Sequence, residues 1–190
     1  MSEVELAKKI IQIEKDITVD EISYGDALIY AMDLEGLPLY FGYSSGIKPK
    51  VFYNTMVEVR NRYGVQFGVF DNLQRMVRTG EESDVAGASG LFKDITMDLN
   101  IPFILISQPR KLASSGSEPS NEDLKGSSAI PADSDEIIWL YRKPVRDMNG
   151  NSAMEPTTNI IVSKSRYAAG GRTRLHFIGE KSKFVDFVGD

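Results

Sequence analysis

The 190-residue sequence contains no cysteine and a single histidine, His176. The first absence excludes disulfide scaffolds, thiolate zinc sites and cysteine nucleophiles; the second excludes most histidine-built metal centres. Chemistry on this chain therefore rests on carboxylates, amides, hydroxyls and cations. Long apolar runs are missing too. No stretch approaches the roughly 18 residues that a bilayer-spanning helix needs, and the amino terminus MSEVELAKKIIQIEKD carries charges throughout, so a cytosolic chain with no membrane partner is expected. Positive charge is in deficit: 22 Lys+Arg stand against 27 Asp+Glu, a net charge of −5. That excludes coating nucleic acid by bulk charge and leaves room only for a local basic strip. What is present is an ordinary globular composition, 42% hydrophobic, for which one domain is the default.

Ser2, Glu3 and Glu5 ahead of Leu6, Ile10, Ile13 and Ile17 give an N-cap, an acidic first turn and an apolar stripe, which predict a helix over 3–15. A second helix is predicted over Tyr24–Leu34, stopped by Gly36 and Pro38, followed by a short strand at Leu39-Tyr40-Phe41. Val51, Thr55, Met56, Val59 and Tyr63 mark the face of a further helix. Gly64 stops it before the apolar run Val65–Phe70. Leu91, Ile95 and Leu99 repeat the helical spacing before Phe103-Ile104-Leu105-Ile106. Helices feeding strands that are apolar on both faces predict an α/β fold with a mostly parallel sheet covered by flanking helices. Residues 109–128, rich in Ser, Gly and Pro, read as a long loop entering a short helix. Ile137–Tyr141 reads as a strand and 143–157 as a polar loop. Alternation over Asn159–Ser163, Thr173–Ile178 and Lys183–Phe187 predicts a closing antiparallel meander.

Several residues sit where chemistry happens in such folds. Asp71 ends a buried strand, where ligands bind in open α/β sheets and where a carboxylate can hold Mg²⁺; the competing role is a cap for the next turn. Gln108 ends the next strand, placed to touch a phosphate or orient water, or simply to face solvent. Arg110 and Lys111 open the Ser/Gly-rich loop, suited either to phosphates or to solvation. The charge is uneven. Residues 1–107 hold 10 basic and 16 acidic side chains, whereas 108–190 hold 12 and 11. Arg142, Lys143, Arg146, Lys164, Arg166, Arg172 and Arg174 form the candidate anion-binding strip. Strand alternation puts Lys164 and Arg166 on one face, as an edge decoration or as cations reaching a neighbouring subunit's nucleotide. His176, alone within a strand pattern, reads as structural.

The segments VFDNLQRM, FILISQPRK, DLKGSSAIPADSDEIIWLYR and NIIVSKSRYAAGGRTRLHFIGEKSKF stand in this order. Over about 37–187 the chain resembles the RecA-like motor domain of the superfamily 4 hexameric replicative helicases. That group includes the bacterial DnaB helicase, phage primase-helicases and the mitochondrial Twinkle helicase, and the DNLQ and PRK wording is nearest the Twinkle side. The resemblance implies a motor using ATP or another NTP with Mg²⁺, in a bacterial or phage-infected cell. It implies a hexameric ring of copies of the chain around single-stranded DNA. Asp71 matches the metal-holding Walker B aspartate and Gln108 the polar sensor. Lys125, Gly126 and Ser127 match a DNA-binding turn, and Arg110 and Lys111 lie near a channel-facing loop. Lys164 and Arg166 match the basic pair that reaches the neighbour's ATP.

One element of the family pattern is missing: GxxxxGK[ST] occurs nowhere in the sequence. The backbone cradle for phosphates, its Lys and its Mg²⁺-binding Ser/Thr are therefore lacking, and the catalytic glutamate would fall just before Met1. Glu3 and Glu5 do not replace it, because they belong to a helix's first turn. The expectation is a partial RecA-like motor whose opening strand and P-loop come from a separate amino-terminal segment, through a truncated or split gene. It would be inactive alone. Two other readings stay open: a non-catalytic RecA-like protein that binds single-stranded nucleic acid or regulates, and a recombinase or clock-type ATPase.

Overall fold

The computed structural model describes residues 3–23, 25, 27, 29–30, 35–43, 46–77, 82–109, 117–124, 128–146 and 150–188. They fall into two compact units, Met1–Tyr43 with Leu140–Ile161 and Arg172–Asp190, and Ser44–Trp139 with Val162–Gly171.

In the second unit, helix α2 (Pro49–Tyr63) starts with proline in its first turn and ends at Gly64, whose φ of 64° is the left-handed cap that glycine adopts without penalty. Its buried face is centred on Phe52, flanked by half-buried Met56 and Val59. Val51, Thr55 and Tyr63 are exposed, so the predicted face is rotated toward the largest apolar side chain. Strand β1 (Gly68–Asp71) runs parallel to β2 (Phe103–Ile106), pairing Gly68 with Phe103 and Asp71 with Ile106. Between them helix α3 (Glu82–Leu99) makes the crossover, burying Val85, Ala88, Phe92, Ile95 and Leu99. Phe92 is the hub of an aromatic cluster, with ring centroids 5.1 Å from Phe52, 5.0 Å from Phe70 and 5.4 Å from Phe103. Gly68 permits this packing, because a β-carbon there would run into the Phe103 ring. The helices cover this face of the sheet, whereas Val69, Ile104 and Ile106 on the other face are exposed.

In the first unit, helix α1 (Glu3–Lys15) buries Ile11 and Gln12, while Ile13 of the predicted stripe is exposed. Gln12 Nε2 donates to the Glu180 carbonyl (2.9 Å) and Lys9 to Ser182 Oγ (2.9 Å), so polar bonds help dock this helix. Asp16, just past the helix, accepts from Lys181 and Lys183, both at 3.1 Å; their hydrogen bonds hold its carboxyl below the usual range. Ser2 lies outside the described residues. So does much of the second predicted helix; residues 25, 27, 29, 30 and 35 are helical. Leu39-Tyr40-Phe41 is not a strand, and all three side chains are exposed, so this short apolar triplet does not have the buried face that supports a strand.

The closing sheet has the order β3-β4-β5-β6, formed by β3 (Glu136–Arg146), β4 (Ser152–Ser165), β5 (Gly171–Ile178) and β6 (Lys183–Asp186). The meander is as expected, with β5 and β6 antiparallel. The polar loop predicted over 143–157 is mostly strand, since β3 extends to Arg146 and β4 begins at Ser152. Its polar composition hid backbone pairing and side-chain anchors such as Arg142 Nε donating to the Glu155 carbonyl at 2.8 Å. His176 pairs with Val185 within the sheet.

Candidate functional site

Two groups of predicted residues are built in the second unit. The first lies at the carboxyl ends of β1 and β2. Asp71 is exposed at the end of its strand, directly beside Ile106 in the parallel register. Ser107 and Gln108 follow Ile106. Gln74, in the turn after β1, ties the two strand ends together: its Nε2 donates to Ser107 Oγ (2.9 Å), and its Oε1 accepts the Gln108 backbone N–H at 3.0 Å. The amide thereby fixes the backbone of Gln108 relative to Asp71. Gln74 was not singled out from the sequence, although it stands within DNLQ; an isolated glutamine carries no signal until its partner strand is known.

The residues here suit a hard divalent cation. Asp71 supplies an exposed carboxylate on rigid structure, and the neighbouring Asn72 Oδ1 is buried without a hydrogen-bond partner among the described residues, an oxygen that would gain from coordination or ordered water. One carboxylate and one amide make only part of a shell, to be completed by water or phosphate. Groups of three or more His, Asp or Glu able to hold a metal by themselves are absent among the described residues.

The second group is organised around helix α4 (Ala129–Asp133). Lys164, near the end of β4, donates its ammonium to the carbonyls of Pro131 and Ser134 (2.7 Å to Ser134). Arg166 donates Nη2 to the Ala132 carbonyl at 2.9 Å and places Nε 3.3 Å from Asp135 Oδ1; its backbone N–H also donates to the Asp135 carbonyl (2.9 Å). Cations at a helix carboxyl terminus satisfy its orphan carbonyls and complement its dipole. Asp135 also accepts from Lys93 on α3 at 3.0 Å. Its carboxyl is held below the usual range, chiefly by the Lys93 hydrogen bond and, beyond that, by the charges of Lys93, Arg166 and Lys164. The basic pair does share one location, as alternation predicts. Asp135 and Lys93 were not foreseen as its partners.

Gly170 keeps the turn after Arg166 close to β4, since an added β-carbon would lie 2.5 Å from the Val162 carbonyl oxygen. Backbone is less able to yield than a side-chain tip. Gly170→Ala is expected to destabilise by about 1–3 kcal/mol as overpacking, read as a lower urea midpoint; an unchanged midpoint would contradict this packing.

Arg110, Lys111, Lys125, Gly126 and Ser127 lie outside the described residues. The residues preceding those segments are paired, however: Pro109 and Leu124 form an isolated antiparallel bridge, with Leu124 buried. Just before it, Asn121 Oδ1 accepts from Ser163 Oγ (2.6 Å) and from the Trp139 indole (3.4 Å). The predicted anion strip draws its residues from both units. Arg142 stacks on Phe177 (4.8 Å) and Arg174 on Phe187 (4.4 Å) within the first unit, and Arg146 donates to the Gly150 carbonyl. Lys164 and Arg166 belong to the second.

Comparison with known proteins gives a consistent picture. The family model "DnaB-like helicase C terminal domain" matches residues 1–186, starting ahead of the motif-bearing stretch. The replicative DNA helicase DnaB of Haemophilus influenzae is 33% identical over 175 residues, 87% of this chain and 37% of that protein. The DnaB of Pasteurella multocida is 32% identical over 153 residues, 77% of this chain and 32% of that protein. The chain thus spans about a third of these relatives' length. A solved DnaB-like replicative helicase, studied with its primase interactions, superposes with a TM-score of 0.81 at 20% identity, covering 99% of this chain and 49% of that one. A solved ATPase domain gives 0.80 at 20% identity, covering 99% and 72%. The fold is that of RecA-like helicase ATPase domains. No described helix is long and apolar enough to cross a membrane.

Proposed function

This chain belongs to the DnaB-like helicase C-terminal domain family, and on that premise we propose that it forms part of an ATP-driven replicative motor that translocates on single-stranded DNA and unwinds duplex. The observation that carries this reading is the placement of Asp71 and Gln108 at the carboxyl ends of two adjacent parallel strands, locked together by Gln74. Asp71 would hold Mg²⁺ through water, with Asn72 Oδ1 beside it; the ion would neutralise charge on the nucleotide's terminal phosphates. Gln108 acts on the terminal phosphate from the neighbouring strand end. Lys164 and Arg166 act in trans on the nucleotide of an adjacent copy in a hexameric ring. Arg110, Lys111, Lys125, Gly126 and Ser127 contact single-stranded DNA through phosphates, an interaction weakened by salt. The site is set in a cytoplasmic protein.

GxxxxGK[ST] is absent from these 190 residues, so in this reading the phosphate cradle lies outside them and they turn over no ATP by themselves. A second reading is a RecA-like protein that binds single-stranded nucleic acid or regulates without catalysis. Mixing the chain with a P-loop-bearing amino-terminal segment and measuring ATPase with and without single-stranded DNA separates the two. DNA-stimulated turnover in the mixture alone supports the motor. DNA binding without turnover supports the second reading, and neither activity defeats both.

A further inference from the structure

The contacts around Arg166 are asymmetric. Its Nε faces Asp135 Oδ1 at 3.3 Å and its Nη2 donates to the Ala132 carbonyl at 2.9 Å, while Nη1 has no partner among the described residues. A guanidinium carries five N–H donors in a rigid planar fork. Fixing one edge of that plane fixes the direction of the remaining donors without consuming them. Lys164 behaves similarly, with two of its three ammonium donors spent on Pro131 and Ser134 carbonyls.

Asp135 is itself held. Lys93 donates to the same Oδ1 at 3.0 Å from α3, whose Ile95 and Phe92 are among the most buried side chains of the chain. The Asp135 carbonyl accepts the Arg166 backbone N–H. Thus a rigid helix anchors the Asp135 carboxylate through Lys93, the carboxylate pairs with the arginine side chain, and the Asp135 main-chain carbonyl holds the arginine backbone. The groups that contact Arg166 come from α4 (the Ala132 carbonyl) and from Asp135, the residue leading into β3, with Lys93 of α3 behind Asp135. All belong to the second unit.

We infer that Asp135 is the positioning residue for Arg166: it clamps the Nε edge of the guanidinium so that the Nη1 donors are pre-oriented for a phosphate anion. This rests on the proposed nucleotide role of Arg166, but the clamp is a property of this chain. Pre-orientation lowers the ordering cost of contact with a triphosphate, which is how rigid supporting residues raise the effectiveness of a charged group. A free arginine on an exposed strand end would lose rotamer freedom each time it engaged.

The test uses the full chain and the Nε–Hε signal of Arg166 in ¹⁵N NMR, assigned by its loss in Arg166→Lys. In the native chain this proton is expected to exchange slowly with water. Asp135→Asn should raise its exchange about tenfold, because the charged oxygen that pairs with the Nε edge and shields it is lost, while Asp135→Glu restores most of the protection. If Asp135→Asn does not fold, Lys93→Met supplies the same reading by removing the anchor of the carboxylate, with a smaller rise expected. Unchanged exchange in a folded Asp135→Asn or Lys93→Met chain overturns the clamp. So does a Glu variant no better protected than the Asn one. Titration with inorganic tripolyphosphate tests the underlying reading separately. If the native Arg166 signal ignores tripolyphosphate while Asp135→Asn still frees it, pre-orientation toward a phosphate anion falls and the clamp on the side chain stands. If tripolyphosphate moves the signal equally in native and Asp135→Asn chains, the nucleotide role stands and positioning by Asp135 falls.

Discussion

Replacing Arg166 with alanine is expected to reduce DNA-stimulated ATP turnover by about 10³–10⁵-fold, the range an arginine finger contributes, in a ring assembled from this chain and a P-loop-bearing segment. The magnitude follows from charge placement. Phosphoryl transfer spreads negative charge over the terminal oxygens, and a guanidinium already fixed in direction stabilises that charge without reorganising. Nucleotide binding in the same subunit as the altered residue should change little, because the proposed action is in trans. Arg166→Lys should recover only part of the loss. An ammonium cannot reproduce the planar fork that reaches Asp135 and the Ala132 carbonyl together and keeps further donors for phosphate. Steady-state ATPase on the assembled ring, with nucleotide affinity measured in parallel, checks this; wild-type turnover in Arg166→Ala would remove the residue from the reaction.

Phe92→Ala is expected to cost the second unit about 3–5 kcal/mol, the range for truncating a buried aromatic ring. Phe92 is 2% exposed and touches three rings, Phe52, Phe70 and Phe103. Two of those belong to the strands that carry Asp71 and lead into Gln108, so the same cavity should loosen the strand ends. Phe92→Leu, which keeps most of the volume, should cost less, roughly 1–2 kcal/mol. Urea unfolding followed by near-UV signals measures both. Equal midpoints for the Ala variant and the native chain would show that the cluster contributes no stability.

The alternation of helix and apolar strand was legible because α3 and the two short parallel strands have a consistent period and clear stops; Leu99 followed by Ile101-Pro102 leaves little choice. The position of Asp71 and Gln108 at strand ends followed from that pattern alone. The face of α2 was not legible. Val51, Thr55 and Tyr63 share a helical period with the true face, and only the rings on β1 and α3 select Phe52 as its centre. The β3–β4 segment looked like a loop because hydrogen-bonded pairing needs no apolar signal when side chains are polar and anchored. Asp135 was seen only as part of a motif. Its partners Lys93 and Arg166 lie 42 residues before it and 31 after it, a separation at which local pattern carries no information about contact.

Trp139 gives the molecule a built-in optical probe. It is the one tryptophan of the chain, and its indole is shielded from water while donating to Asn121 Oδ1. Asn121 stands just ahead of the Leu124 bridge from which the proposed DNA-contact segments depart. Emission from native protein therefore reports on that junction without any label, blue-shifted and weakly quenched while Asn121 stays in place and moving to the red when it is drawn away. Ser163 shares the same Asn121 oxygen, and it stands next to Lys164 in the strand. One wavelength scan thus follows, in a single unmodified chain, the place where the proposed DNA-contact segments adjoin the strand that carries Lys164.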